Sequence, residues 1–193
     1  MRGKGRPRDA RLDEAIIEAA AELLVRDGFA ALTIDAVARA AGTTRPAVYR
    51  RYAGRVELTV AVLGHRFGLA PVPDTGSLRG DLTALQAHQR EMFRDPLMQA
   101  AMLGVLADVR ADPQLLAAVQ TRFLTPRRAQ TKDMVDRAVA RGEIPAGADA
   151  ELLNDLVTGP LLFRAILPSL GDIDDKLLAA TVTVGLACAA GQL

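Results

Sequence analysis

The side chains that most enzymes use for catalysis are few and scattered in this chain. Its single cysteine, Cys188, lies in an apolar stretch, and its two histidines, His65 and His88, are far apart in the sequence. The sequence contains no glycine-rich phosphate loop, no HExxH motif and no cysteine pair. Because acid–base, nucleophilic and metal catalysis need such groups in clusters, we expect neither an enzyme nor a metal site nor a cofactor.

Cations, in contrast, are clustered, and their pattern indicates recognition of a polyanion. The stretch from Ala36 to Val56 contains no acidic residue, and Tyr49 and Tyr52 lie within it. Its cations are Arg39, Arg45, Arg50, Arg51 and Arg55. Residues 1–55 carry eleven cations and seven acids, hence +4, which leaves −3 on the remainder of a chain of net charge +1. A basic head on a mildly acidic body predicts that one end binds nucleic acid.

Two short predicted helices position these cations. The first is predicted from an apolar stripe at three-to-four spacing, namely Ile34, Val37, Ala38 and Ala41. Thr33 suits its N-cap, Gly42 supplies the positive φ of a tight turn, and Thr43 or Thr44 caps the second helix, which carries Pro46 in its first turn. A helix–turn–helix with a cationic, aromatic second helix fits the DNA major groove. The alternative is a solvated helical hairpin without a nucleic-acid partner.

The stretch TIDAVARAAGTTRPAVYRRYAGRVEL, preceded by a helix that ends in RDGF, resembles the N-terminal domain of TetR-family transcriptional regulators. The sequence departs from the family at Arg55, where lysine is frequent, and at Ala53-Gly54, where aromatic, proline or serine residues are frequent. The matching positions are Gly28, Phe29, Thr33, Ile34, Ala38, Gly42, Val48, Tyr49, Tyr52, Arg55, Glu57 and Leu58. This resemblance covers about the first third of the chain and implies an all-α fold. We expect an N-terminal three-helix helix–turn–helix domain and a C-terminal helical ligand-binding and dimerisation domain, with about nine helices.

We place the DNA-binding domain at residues 1–55, with residues 1–8 as a flexible basic arm, and the effector-binding and dimerisation domain at 56–193. Residues 71–76 form the most obvious linker. Asp9 is expected to cap the first helix, and Asp-Pro pairs at 95–96 and 112–113 to open the sixth and seventh.

Three further signals concern the ends of the later helices. Pro126 is expected either to kink the seventh helix or to begin a new segment. Asp149 is expected to cap the eighth helix, and Asp172 or Asp174 the ninth.

The resemblance also implies roles for individual residues of the head. Thr33, Tyr49 and Arg55 match family positions that hold DNA phosphates, and Thr44, Arg45, Ala47 and Arg50 are candidates to face base edges. For Arg51 a solvated position is the alternative, and Tyr52 is expected to pack inside the head. The predicted DNA-binding set is Thr33, Thr43, Thr44, Arg45, Ala47, Tyr49, Arg50, Arg51 and Arg55.

The last two predicted helices, about 149–168 and 174–190, are apolar on most sides. A helix of this kind must be buried on several sides, and a second subunit would supply the missing one. TetR-like proteins dimerise through these helices, so we expect a homodimer on near-palindromic double-stranded DNA. A well-buried core without dimerisation is the alternative.

The resemblance further implies a repressor that is released by a small, apolar effector bound among the fourth to eighth helices. Its candidate lining residues are Leu63, Phe67, Met92, Phe93, Met98, Met102, Phe123 and Phe163. The alternatives are a helix–turn–helix regulator without an effector and an activator. We expect a cytoplasmic protein without membrane contact, because no apolar run approaches the length that spans a bilayer and no signal-peptide core follows the basic start.

Overall fold

The computed structural model describes residues 10–111 and 113–192, and within these residues every regular element is helical. The predicted all-α fold is confirmed. The basic arm, Asp9 and Asp112 lie outside the described residues. In the described part we number nine helices: α1 (Ala10–Asp27), α2 (Ile34–Ala40), α3 (Arg45–Tyr49), α4 (Arg55–Arg66), α5 (Leu78–Arg94), α6 (Pro96–Ala111), α7 (Pro113–Val119, Gln120–Leu124 and Thr125–Ala140), α8 (Ala150–Ile166) and α9 (Asp175–Ala189).

The helix–turn–helix is formed by α2 and α3 and follows the local signals closely. The hydroxyl of Thr33 accepts a hydrogen bond from the backbone N–H of Ala36 at 3.1 Å, so Thr33 is the N-cap of α2. Gly42 has a φ of 62°, a left-handed conformation that allows the chain to reverse between the helices. Ala38 and Val48 are buried where α2 and α3 cross.

One apolar core runs from the head into the body. It joins α1 and α2 to α4 and α6 and continues to Leu161 and Ala165 of α8. Gly104 of α6 lies directly against Phe29, since a Cβ at this glycine would be 1.9 Å from Cδ1 of the phenylalanine ring. The head and α6 are therefore in close contact, and the division of the chain near residue 55 stays a prediction.

The predicted linker at 71–76 is fastened to the body. Gln130 of α7 donates to the carbonyl of Ala70 at 2.5 Å, and Arg137 donates to the carbonyl of Pro73. The backbone N–H of Thr75 donates to the buried carboxylate of Asp81 at 2.7 Å. These bonds hold the segment after α4 along the surfaces of α5 and α7.

α7 continues past Pro126 because the helix widens before it. The N–H of Thr125 bonds to the carbonyl of Gln120, five residues back, within a π segment over Gln120–Leu124. Proline has no N–H and its ring clashes with the carbonyl four residues earlier, so a widened turn accommodates it without ending the helix. The structure thus resolves the two alternatives for Pro126 as a distorted but continuous helix.

Side-chain caps fix the beginnings of α8 and α9. Asp149 accepts hydrogen bonds from the N–H groups of Glu151 and Leu152 at 3.0 and 2.9 Å. Asp174 accepts from Leu177 at 2.8 Å and is therefore the cap of α9, rather than Asp172. Both helices pack with α5 and α7 in a second apolar core.

Candidate nucleic-acid interface

α3 carries its polar side chains on the surface of the head. Thr44, Arg45, Tyr49 and Arg50 are exposed, while Thr43 is half-buried in the turn before the helix. The two arginines that we expect to face base edges, Arg45 and Arg50, are both exposed to solvent. This surface presents positive charge, an aromatic ring and a hydroxyl group within one short helix, which suits contact with both phosphates and base edges.

Arg45 and Tyr49 are held side by side. The guanidinium carbon of Arg45 lies 5.4 Å from the centre of the Tyr49 ring, and its Nη2 is 3.5 Å from the phenol oxygen. Nη1 is 3.5 Å from a carboxylate oxygen of Asp35. The bond to Tyr49 and then the charge of Asp35 raise the pKa of Arg45. Such an exposed ion pair is weak, so a DNA group can displace Asp35 at little cost.

Two predicted DNA contacts, Arg51 and Ala47, are instead largely buried in the head. The side chain of Arg51 is 13% exposed, pairs with Asp13 through Nε and donates from Nη1 to the carbonyl of Ala47 at 3.1 Å. Ala47 itself is 5% exposed. We therefore infer that Arg51 and Ala47 stabilise the head. The exposed residues stay candidates for contact with DNA.

Arg55, at the first position of α4, is engaged by the body. Its Nε and Nη2 lie 2.9 and 3.1 Å from the two carboxylate oxygens of Asp108 on α6, a bidentate pair. Its guanidinium carbon is 4.7 Å from the centre of the Phe29 ring. In this conformation Asp108 competes with a DNA phosphate for the positive charge of Arg55.

The start of α4 is also connected to α7. Glu57 accepts a hydrogen bond from the N–H of Ala53 at 2.6 Å and pairs with Arg122 of the π segment at 2.6 Å. Neither Asp108 nor Arg122 was among our candidate residues. A signal for Asp108 was present, since it is the only acidic residue of the apolar helix α6. Its partner across the fold could not be read from the sequence.

The candidate effector residues fall into two groups. Leu63, Met92, Phe93, Met98 and Met102 are buried in the first core, with Phe67 and Phe123 packed against it. Phe163 lies apart on α8 and is 54% exposed. Seven of the eight predicted residues thus share one apolar cluster.

Comparison with known proteins identifies the family. Residues 16–62 match the model of bacterial regulatory proteins of the tetR family, and residues 72–184 match that of the tetracyclin repressor-like C-terminal domain. The second match alone covers more than half of the chain. The chain belongs to the TetR family.

Relatives and a solved structure agree with this assignment. An uncharacterized HTH-type transcriptional regulator of Bacillus subtilis, YdeS, is 30% identical over 165 residues, which are 85% of this chain and 83% of YdeS. The DNA-binding transcriptional repressor TetR of Mycobacteroides abscessus is 29% identical over 184 residues, 94% and 93% of the two chains. The TetR-family regulator SCO0332 shares the fold, with a TM-score of 0.73, 24% identity and coverage of 92% and 98%.

The protein is thus a DNA-binding helix–turn–helix transcriptional regulator, and its relatives are named as regulators rather than enzymes. Within residues 10–111 and 113–192 no helix is both long and apolar enough to cross a bilayer.

Proposed function

We propose that two copies of this chain bind a near-palindromic operator, repress transcription there and are released by a small-molecule effector. The exposed cationic and aromatic face of α3 is the observation that carries this proposal. Occupation of operator DNA requires a cytoplasmic location, which stays a prediction.

On DNA, α3 enters the major groove, and its exposed side chains contact either base edges or phosphates. Arg45 and Arg50 are the candidates for base edges, and a bidentate arginine–guanine contact contributes about 1–3 kcal/mol of discrimination. Tyr49 and Thr33 hold phosphates, since the oxygen of Thr33 caps α2 while its O–H hydrogen remains available as a donor. Gly54, the N-cap of α4, has no side chain, so the first N–H groups of this helix can bind a phosphate beside Arg55.

The apolar surface of α8 supports the homodimer. Leu152, Leu156, Gly159 and Phe163 follow one another at spacings of four, three and four residues and therefore share one helix face. Leu152 and Phe163 are 47% and 54% exposed, and Val184 on neighbouring α9 is 39% exposed. A second copy would cover these side chains in a two-fold interface and would set two α3 helices on one duplex.

Effector control is typical of the TetR family, and α4 is the element suited to transmit it here. α4 begins at Arg55, next to the head. Its C-cap residue, Phe67, accepts a hydrogen bond from Arg127 of the body. A ligand lowers DNA affinity only if it binds better to a conformation that DNA does not select. A regulator without an effector is the competing possibility.

Alanine substitutions test the two kinds of DNA contact. We expect Arg50→Ala to relax the preference at one base position of each half-site, because a base-reading guanidinium is lost. We expect Arg55→Ala to weaken binding to all sequences and to flatten the salt dependence by about 0.9 in log K against log salt, the value for one phosphate. Mobility-shift titrations at several salt concentrations measure both, with Arg94→Ala on the surface of α5 as the control. Unchanged affinity in both variants would contradict the assignment of α3 and α4 to DNA.

A further inference from the structure

Arg127 of α7 is a half-buried cation that lacks a carboxylate partner in the described part of the chain. Its Nη1 donates to the carbonyl of Phe123 at 2.9 Å, and its Nη2 donates to the carbonyl of Phe67. The guanidinium carbon lies 3.7 Å from the centre of the Phe123 ring. Burial lowers the pKa of Arg127 to about 10. Buried charges in proteins are normally paired, so this guanidinium has capacity for an anion.

The guanidinium lines a small cavity between the chain after α4, the side of α5 and the side of α7. The cavity measures about 30 Å³, close to the volume of one water molecule. Leu69 and Met92 contribute apolar surface, while Gln89 and Gln130 contribute amide groups beside Arg127. Leu69 is 52% exposed and His88, which also lines the cavity, is exposed, so the cavity opens to solvent beside an apolar side chain and an imidazole.

We propose that this cavity binds the carboxylate of a small organic acid, with Arg127 as its charge partner and the apolar part of the acid lying against Leu69. The proposal rests on the effector control proposed above and names the chemical class of the effector. Guanidinium matches carboxylate in a two-bond geometry that neither ammonium nor amide groups reproduce. The expected effector is then an amphipathic acid and not the purely apolar molecule that the sequence suggested.

Arg127 connects this cavity to the DNA-binding end of α4. Phe67, whose carbonyl accepts the Arg127 bond, is the C-cap residue of α4, and Arg55 is the first residue of the same helix. An incoming carboxylate competes with the carbonyl of Phe67 for the guanidinium. Five residues earlier in α7, Arg122 pairs with Glu57 near the start of α4. The acid would therefore change the hydrogen bond from Arg127 to Phe67 at the end of α4. The π segment that precedes Arg127 in α7 contacts the beginning of α4 through Arg122.

Gln89 connects the same cavity to the helices proposed for dimerisation. Its Nε2 donates to Thr158 of α8 at 3.0 Å, and its Oε1 accepts from Gln86 at 3.0 Å. Thr181 of α9 donates to Gln86 at 2.7 Å. A carboxylate that displaces the side chain of Gln89 would disturb this buried chain of bonds between α5, α8 and α9.

The test measures binding to the full chain without DNA. The probes are straight-chain acids from acetate to decanoate, each paired with the alcohol of the same length, together with inorganic phosphate. We expect at least one of the longer acids to raise the Tm and to give a calorimetric binding isotherm that its alcohol does not give. If no acid binds better than its alcohol, the proposal is overturned. If acetate or phosphate binds as well as the longer acids, the site is a general anion site and the organic-acid assignment is wrong.

Two variants assign the binding to Arg127. We expect Arg127→Met to abolish binding of the acid, and Arg127→Lys, which keeps the charge and lacks the fork, to weaken it at least tenfold. The matched control is Arg128→Met, the same charge change one residue later, where the guanidinium pairs with Glu151 and Asp155 of α8. Wild-type affinity in Arg127→Met, or in Arg127→Lys if the first variant fails to fold, would overturn the proposal.

A mobility-shift assay separates this proposal from the wider function. Ligand-free protein that does not shift DNA contradicts the proposed function, whatever the acids do. Protein that binds DNA but no acid contradicts only the inference about Arg127.

Discussion

At the residue scale, the guanidinium of Arg55 is the clearest case of one side chain with two competing partners. Asp108 holds it in a bidentate pair, while the resemblance assigns it to a DNA phosphate. The two anions compete for one positive charge, while the pair with Asp108 occupies only Nε and Nη2 of the five N–H donors of the guanidinium. We therefore expect the ion pair with Asp108 to weaken the contact of Arg55 with a phosphate.

Substitution of Asp108 tests this competition. We expect Asp108→Asn to raise DNA affinity severalfold for all sequences, since no carboxylate then competes with a phosphate for the charge of Arg55. The measurement is the Kd of a mobility-shift titration at fixed salt. The control is the double variant with Arg55→Ala, in which Asp108→Asn should add almost nothing. An equal effect in both backgrounds would mean that Asp108 acts by long-range repulsion of DNA and not through Arg55.

The sequence predicted the exposed part of this site and missed its internal contacts. The lack of acids around Arg45 and Arg50 indicated a surface for DNA, and both side chains do face solvent. The pairing of Arg51 with Asp13 joins residues far apart in sequence, and no local pattern reports it. The same holds for Arg127, because nothing in an isolated helix shows that a cation will have no carboxylate partner among the described residues.

At the element scale, α4 is fixed at both ends by α7. Arg122 binds Glu57 near its beginning, and Arg127 binds the carbonyl of Phe67 at its end. The widened π segment, Gln120–Leu124, contains Arg122 and ends three residues before Arg127. Because π segments are less regular than α-helix and often mark functional positions, this is the part of α7 best suited to shift when the cavity fills.

Two glycines in helices give opposite predictions for stability. Gly104→Ala should lower the free energy of unfolding by about 1–3 kcal/mol, because the new Cβ would overlap the ring of Phe29. Gly64→Ala on α4 should raise it by about 0.5–1 kcal/mol, since no atom lies within 4 Å of the new Cβ and alanine favours a helix. Denaturant unfolding measures both. Equal effects would contradict the close contact between α6 and the head.

The cap of α9 gives a second test at this scale. Asp174→Ala should lower the free energy of unfolding by about 0.5–2 kcal/mol, because the N–H of Leu177 loses its acceptor. Asp172→Ala serves as the control and should change the unfolding free energy by less than about 0.5 kcal/mol. A larger loss from Asp172→Ala would place the beginning of α9 elsewhere.

The helices were largely predictable, because their signals are local. Thr33, Asp149 and Asp174 cap helices as their positions suggested, and apolar spacing marked the buried faces. The sequence did not predict the π segment at Gln120–Leu124, because the choice between a kink, a break and a widened turn depends on neighbouring helices. Nor did it predict that residues 71–76 would be held along α7.

At the scale of the whole molecule, we expect two heads to bind one duplex. A single α3 has only five residues and reads few base pairs, so specificity depends on the pairing of two copies. The exposed apolar side chains of α8 and α9 are the surface through which we expect that pairing.

A charge placed on this surface should separate the subunits. We expect Phe163→Glu to produce a monomer, because two-fold symmetry would bury an unpaired carboxylate from each copy in the interface. Sedimentation velocity measures the mass, and operator affinity should fall with it. Leu103→Glu on α6, where the side chain is equally exposed at 55%, should leave the dimer intact. A Phe163→Glu protein that remains dimeric would contradict the assignment of the interface to α8 and α9.

Binding of two chains to one operator is best tested by selection of bound fragments from random double-stranded DNA. We expect enrichment of a near-palindromic sequence, with two inverted half-sites bound by two protein chains. Recovery of unenriched DNA, or of a single half-site bound by one chain, would contradict it.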